Sequence, residues 1–123
     1  MNNLFLAIGA TATGVGVAMG AFGAHALKHR LSESLLHTFT TGVHYHLIHG
    51  VGLCIVGLAI AQSERQGYTV AGWLMLAGIF LFSGSLYALS LSGLRWLGAI
   101  TPIGGLCWIV AWTVLAMTAW SSR

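Results

Sequence analysis

The 123-residue sequence contains no aspartate, and glutamate occurs only at Glu33 and Glu64. A carboxylate relay, a di-iron carboxylate centre and ion coupling through a buried acid all lose their main groups, leaving histidine as the one side chain able to carry protons near neutral pH. Charge of either sign is scarce, at 6% of residues, where a soluble chain carries about a quarter. The charged residues are Lys28, Arg30, Glu33, Glu64, Arg65, Arg95 and Arg123, and they fall between long apolar runs or at the chain end. With 57% hydrophobic residues, this is the pattern of one integral membrane domain over residues 1–123. A net charge of +3, scattered along the chain, does not make the basic stripe that nucleic acid requires. Cysteine is confined to Cys54 and Cys107, each inside an apolar run without the paired spacing of a zinc or redox motif, so both read as small hydrophobic residues. No Gly-x-Ser-x-Gly element is present, and the chain reads as a non-enzyme.

What is present is four apolar runs, at about 4–24, 43–61, 70–91 and 97–120. At about 1.5 Å per residue, runs of this length match a hydrocarbon core about 30 Å thick. The expected fold is an all-α integral membrane protein with four transmembrane helices in two hairpins. Ala24-His25-Ala26 imitates a signal-peptide cleavage site, but Met1-Asn2-Asn3 carries no basic residue, so cleavage is not expected. Ala12, Gly16, Gly20 and Ala24 recur every four residues, a ridge on which another helix can approach closely. Packing within the chain is the first reading of that ridge, and a subunit interface the second.

Between the first two spans, Leu27, Leu31, Leu35 and Phe39 make an apolar stripe away from Lys28, Arg30 and Glu33. A short amphipathic interfacial segment fits, with Ser32 as N-cap and a bend at Gly42. Gln62 to Gly67 is a polar loop, and Gly93 to Trp96 a tight turn. The only proline, Pro102, lies in Thr101-Pro102-Ile103-Gly104-Gly105, where a kink or a loosened first turn is expected. Gly84, Pro102, Gly104 and Gly105 join the ridge as expected helix-packing positions.

Alternating spans bring polar residues to one membrane face: His25, Tyr45, His46, His49, Ser83, Ser85, Tyr87 and Thr101. Buried polar groups in lipid must bond one another, so the leading expectation is a hydrogen-bonded network that fixes packing. The alternative is a metal, haem or small-solute site at this His-rich mouth. His25 with His29, and His46 with His49, have the i, i+4 and i, i+3 spacings that two imidazole ligands need. His29 and His37 read as solvated. No cofactor is required by the sequence.

Gly20-Ala21-Phe22-Gly23-Ala24-His25, Tyr45 with His49, Phe82-Ser83-Gly84-Ser85-Leu86-Tyr87 and Thr101-Pro102-Ile103-Gly104-Gly105 resemble motifs of the YgdD-like family of small bacterial inner-membrane proteins. That family is a domain of unknown function with a mitochondrial relative, and the resemblance covers nearly the whole chain. It implies a four-span protein of the bacterial inner (plasma) membrane, with termini on the cytoplasmic side. Relatives carry basic residues in the middle loop and tail, whereas this chain has Lys28 and Arg30 in its first loop and Arg123 alone in its tail. The functional expectation is an accessory protein that self-associates or supports a membrane complex, with the lipid bilayer and other membrane proteins as partners.

Overall fold

A computed structural model describes residues 3–122, and it is built of helices. Helix α1, Leu4–Phe22, runs on through a π-helical turn, Gly23–Leu27. Helix α2 covers Glu33–Gln62. Helix α3, Gln66–Gly78, continues through a π-helical segment, Ile79–Gly84, into α4, Ser85–Ser92. A 3₁₀ turn, Arg95–Ala99, leads into α5, Thr101–Trp120. These make the four expected units, Leu4–Leu27, Glu33–Gln62, Gln66–Ser92 and Arg95–Trp120, each long and apolar enough to cross a membrane.

The second unit begins earlier than its apolar run suggests. Ser32 caps it, its hydroxyl accepting the Leu35 amide at 3.2 Å, and Glu33 lies in the first turn, where a negative charge complements the helix dipole. The segment read as interfacial is thus the start of α2 from Glu33 onward, and the helix runs unbroken through Gly42, where a bend was expected. Gly42 is used for clearance instead: a Cβ there would lie 3.0 Å from the Tyr87 ring and 3.3 Å from Leu86. At 30 residues, α2 is about 45 Å long against a core of about 30 Å, so it tilts or projects. Pro102 occupies the first turn of α5, where its missing amide costs little, and the loosening expected there takes the form of the 3₁₀ turn before it.

Helix α1 lies antiparallel on α2 by a backbone approach that only small residues permit. A Cβ on Gly9 would stand 2.5 Å from the Cys54 amide, and one on Gly57 would stand 2.5 Å from that of Leu6. Gly16 meets Leu47, and Gly20 meets Val43. Lipid removes the hydrophobic drive between helices, so this close packing supplies the attraction. Phe5, Leu53, Val56, Ala71, Met75, Ile79, Trp108 and Ala111 form the main apolar core, and Leu27, Phe39 and Val43 a second near the first loop. At the opposite end, Arg65 donates from Nη1 to the Thr118 carbonyl at 3.3 Å and to Ser121 Oγ at 3.0 Å, tying the middle loop to the end of α5.

Gly9→Val and Gly57→Val should each cost about 1–3 kcal/mol by overpacking. Denaturant titration in mixed micelles reads the change; unaltered midpoints for both would show that α1 is not held by this contact.

Candidate functional site

The residues that carry the polar chemistry sit at the middle of α2 rather than at its entrance. His46 is thirteen residues after Glu33, and His49 thirteen before Gln62. Both side chains are buried. The cluster is mid-helix because α2 starts at Glu33 and not near Val43.

His49 uses both ring nitrogens. Trp112 Nε1 approaches His49 Nε2 at 3.0 Å, and His49 Nδ1 lies 2.8 Å from the Tyr45 carbonyl one turn back. An indole N–H can only donate, so Nε2 is the bare nitrogen and Nδ1 carries the hydrogen that the carbonyl accepts. The imidazole also lies flat on Trp108, with ring centroids 3.7 Å apart and planes 3° from parallel. Tyr45 stacks on the same indole at 5.9 Å, and Phe82 tilts against it at 4.7 Å.

Trp108 is anchored in turn through Nε1, which donates to the Met75 carbonyl at 3.0 Å. That carbonyl lies at the end of α3, where the helix gives way to the π-helical segment. Gly78 makes the approach possible, because a Cβ there would overlap the indole.

His46 turns to other neighbours. Its Nδ1 pairs with the Tyr87 hydroxyl at 2.8 Å. Ser83 Oγ donates to the Gly42 carbonyl at 2.7 Å. Ser85 Oγ shares a hydrogen bond with Thr101 Oγ1 at 2.6 Å. The polar residues thus make separate ties between helices rather than one network: α2 to α4 through His46, α2 to α5 through His49, and the start of α4 to the start of α5 through Ser85.

Six of the eight residues read as polar pair or stack with one another, Ser83 bonds the Gly42 carbonyl instead, and His25 stands apart. Tyr45 joins through its ring and its backbone carbonyl, and Thr101 through Ser85. His25 and His29 lie exposed near the first loop, and no group of three histidine, cysteine or acidic residues able to hold a metal occurs among the described residues. Gly104 admits the backbone of Leu81 and Phe82, and Gly105 lies at ordinary contact distance from the Phe82 ring. Ala12 is half-buried against the main core, whereas Ala24 and Pro102 are exposed. Gly84 meets nothing closer than a carbonyl of its own segment at 3.9 Å, so no packing demand acts there.

Trp108 and Trp112 are the partners that the sequence reading missed. Their signal was available: indoles favour the membrane interface, and two of them one turn apart inside a span need acceptors for their N–H groups. Chemically the site is self-contained. No buried side-chain nitrogen or oxygen among the described residues lacks a partner, and a ligand on His49 would have to displace either Trp112 or the Tyr45 carbonyl.

The family described as "Protein of unknown function (DUF423)" matches residues 19–105. The chain is 45% identical over 117 residues to the UPF0382 membrane protein YwdK of Bacillus subtilis, covering 94% of this chain and 95% of that one. It is 44% identical over 115 residues to the UPF0382 membrane protein SH2409 of Staphylococcus haemolyticus, covering 94% and 93%. No solved structure matches.

Trp112→Phe and His49→Ala, made singly and together, test the central tie. Their effects should be non-additive by about 0.6–1.7 kcal/mol, the range for hydrogen bonds between membrane helices, with His49→Ala the costlier because it also empties the Trp108 stack. Strict additivity would show that the two side chains do not hold each other.

Proposed function

The chain belongs to the DUF423 family of membrane proteins, and from that premise we propose that it is a non-enzymatic accessory protein that self-associates in the bilayer. The observation that carries this reading is a second ridge of small residues on α1, turned outward. Ala10, Gly14 and Ala18 follow one another at four-residue intervals, all exposed, with Ala21 continuing the face. A Cβ on Gly14 would meet no atom of the chain within 4 Å. Within the apolar 18-residue stretch of the first spanning unit only 17% is buried, against 44% in that of the second, so α1 offers most of its surface to whatever lies beside it. Small residues four apart are the surface on which a membrane helix can receive another helix.

The ridge noted from the sequence, Ala12, Gly16, Gly20 and Ala24, has a different use. Gly16 and Gly20 are spent on α2, which supports the reading of internal packing for that pair. The polar ties of α2 hold the subunit together, and the opposite face of α1 joins subunits or a partner membrane protein. A metal, haem or small-solute role ranks second, because His46 and His49 face different helices and are both engaged. The inner (plasma) membrane is the proposed location, with cytoplasmic termini as the family resemblance implies.

Gly14→Leu should lower the association constant in nanodiscs or mild detergent roughly tenfold while leaving the unfolding midpoint unchanged, since Gly14 supports nothing inside the chain. Chemical crosslinking and light scattering read the first quantity. A strictly monomeric wild-type protein, or unchanged oligomers in Gly14→Leu, would defeat the proposal. Stoichiometric metal that disappears in His46→Ala/His49→Ala would put the binding role first.

A further inference from the structure

A groove of about 350 Å³ runs along the outside of the molecule where the end of the first unit leaves α2. Gly20, Gly23 and Ala24 form one wall, Leu36, Phe39 and Val43 the other, and Lys28 stands at its mouth. Its floor is closed, with Gly23 packed on the Phe39 ring and Gly20 on Val43, and the small, exposed side chain of Ala24 leaves the slot open above that floor. From Lys28 back to Gly20 the slot descends about 12 Å along the helix, away from the first loop.

The face around the mouth is basic. Lys28, Arg30 and Arg95 are exposed there beside His25, His29 and His37, and Glu33 is the one carboxylate opposing them. The 3₁₀ turn brings Arg95 to this end of the molecule, where it lines a hollow with Ser32 and Leu35 of the first loop and α2.

We propose that this groove binds an anionic phospholipid, with part of an acyl chain lying over Gly23 and Phe39 beside Ala24 and the headgroup phosphate on the Lys28 ammonium. Charge and depth choose this occupant together. A cation at the loop end of an apolar slot complements an amphiphile whose anionic group lies at the interface and whose chain points into the core. A second copy of the chain would bring the same positive face against this one. An acidic soluble partner would satisfy Lys28 and leave the apolar slot empty. The site is separate from the Ala10 to Ala18 ridge and does not depend on the self-association reading.

The test uses the whole protein in phosphatidylcholine nanodiscs, with and without phosphatidylglycerol, followed by native mass spectrometry for retained lipid and by thermal unfolding. Phosphatidylglycerol should be retained in preference to phosphatidylcholine and should raise the unfolding temperature, and inorganic phosphate alone should not. Lys28→Glu should weaken the selective retention about tenfold, and Ala24→Leu, which fills the slot while keeping Lys28, should weaken it comparably. Arg30→Glu makes the same charge change away from the slot and should keep most of it. Equal retention of the two lipids overturns the proposal. So does an Arg30→Glu loss as large as that of Lys28→Glu, which would mean diffuse surface charge, or full retention in Ala24→Leu. Loss of dimer in Lys28→Glu regardless of lipid would assign the groove to a second copy and overturn it equally.

Discussion

The hydrogen bond from Trp112 to His49 is the contact on which the rest of the arrangement depends. Hydrocarbon offers no water to an imidazole, so a histidine at the middle of a spanning helix must find its partners inside the protein. His49 finds one on its own helix and one on α5. The second fixes how far α5 stands from α2, and the indoles of Trp108 and Trp112 fill the distance. Trp108 then needs its own acceptor, which the end of α3 supplies at Met75. One polar group in lipid therefore sets the placement of three helices.

Glycine sets the other boundary condition. Gly9, Gly50 and Gly57 let α1 and α2 touch backbone to backbone, Gly104 does the same for α5 against the π-helical segment, and Gly78 makes room for the Trp108 indole on α3. The two devices are complementary: glycine removes the side chain where a neighbouring backbone or ring must come close, and an aromatic ring with a hydrogen bond spans the wider gap between α2 and α5. The π-helical stretch at Ile79–Gly84 sits beside the polar ties of Ser83 and Ser85, in keeping with the tendency of such irregularities to occur at functional sites.

The class of fold was fully legible, because apolar length and the position of charges are properties of the chain itself. Ser32 as a cap was legible for the same reason, and the polar stretch Gln62 to Gly67 marked a break that the structure narrows to residues 63–65, Gln66 and Gly67 already opening α3, while Gly93 to Trp96 marked the turn that passes into the 3₁₀ segment. What spacing alone could not supply was rotation. His46 and His49 share a face by periodicity, yet one meets Tyr87 and the other Trp112, since α4 and α5 flank that face from different sides. Gly42 illustrates the same limit. A glycine inside a helix permits a bend or a close neighbour, and only the presence of Tyr87 decides between them. The two ridges on α1 have identical spacing, and only the position of α2 tells which is spent within the chain.

The sequence distance across these ties has a consequence for biosynthesis. Tyr87 lies 41 residues beyond His46, and Trp112 lies 63 beyond His49. A chain made from its N-terminus thus produces α2 well before either partner exists. The bond from His49 to the Tyr45 carbonyl belongs to α2 alone, so the ring can enter the membrane with one nitrogen already satisfied and one bare. Completion of α5 relieves the last of that cost, making a helix that emerges well after α2 the one that locks it in place.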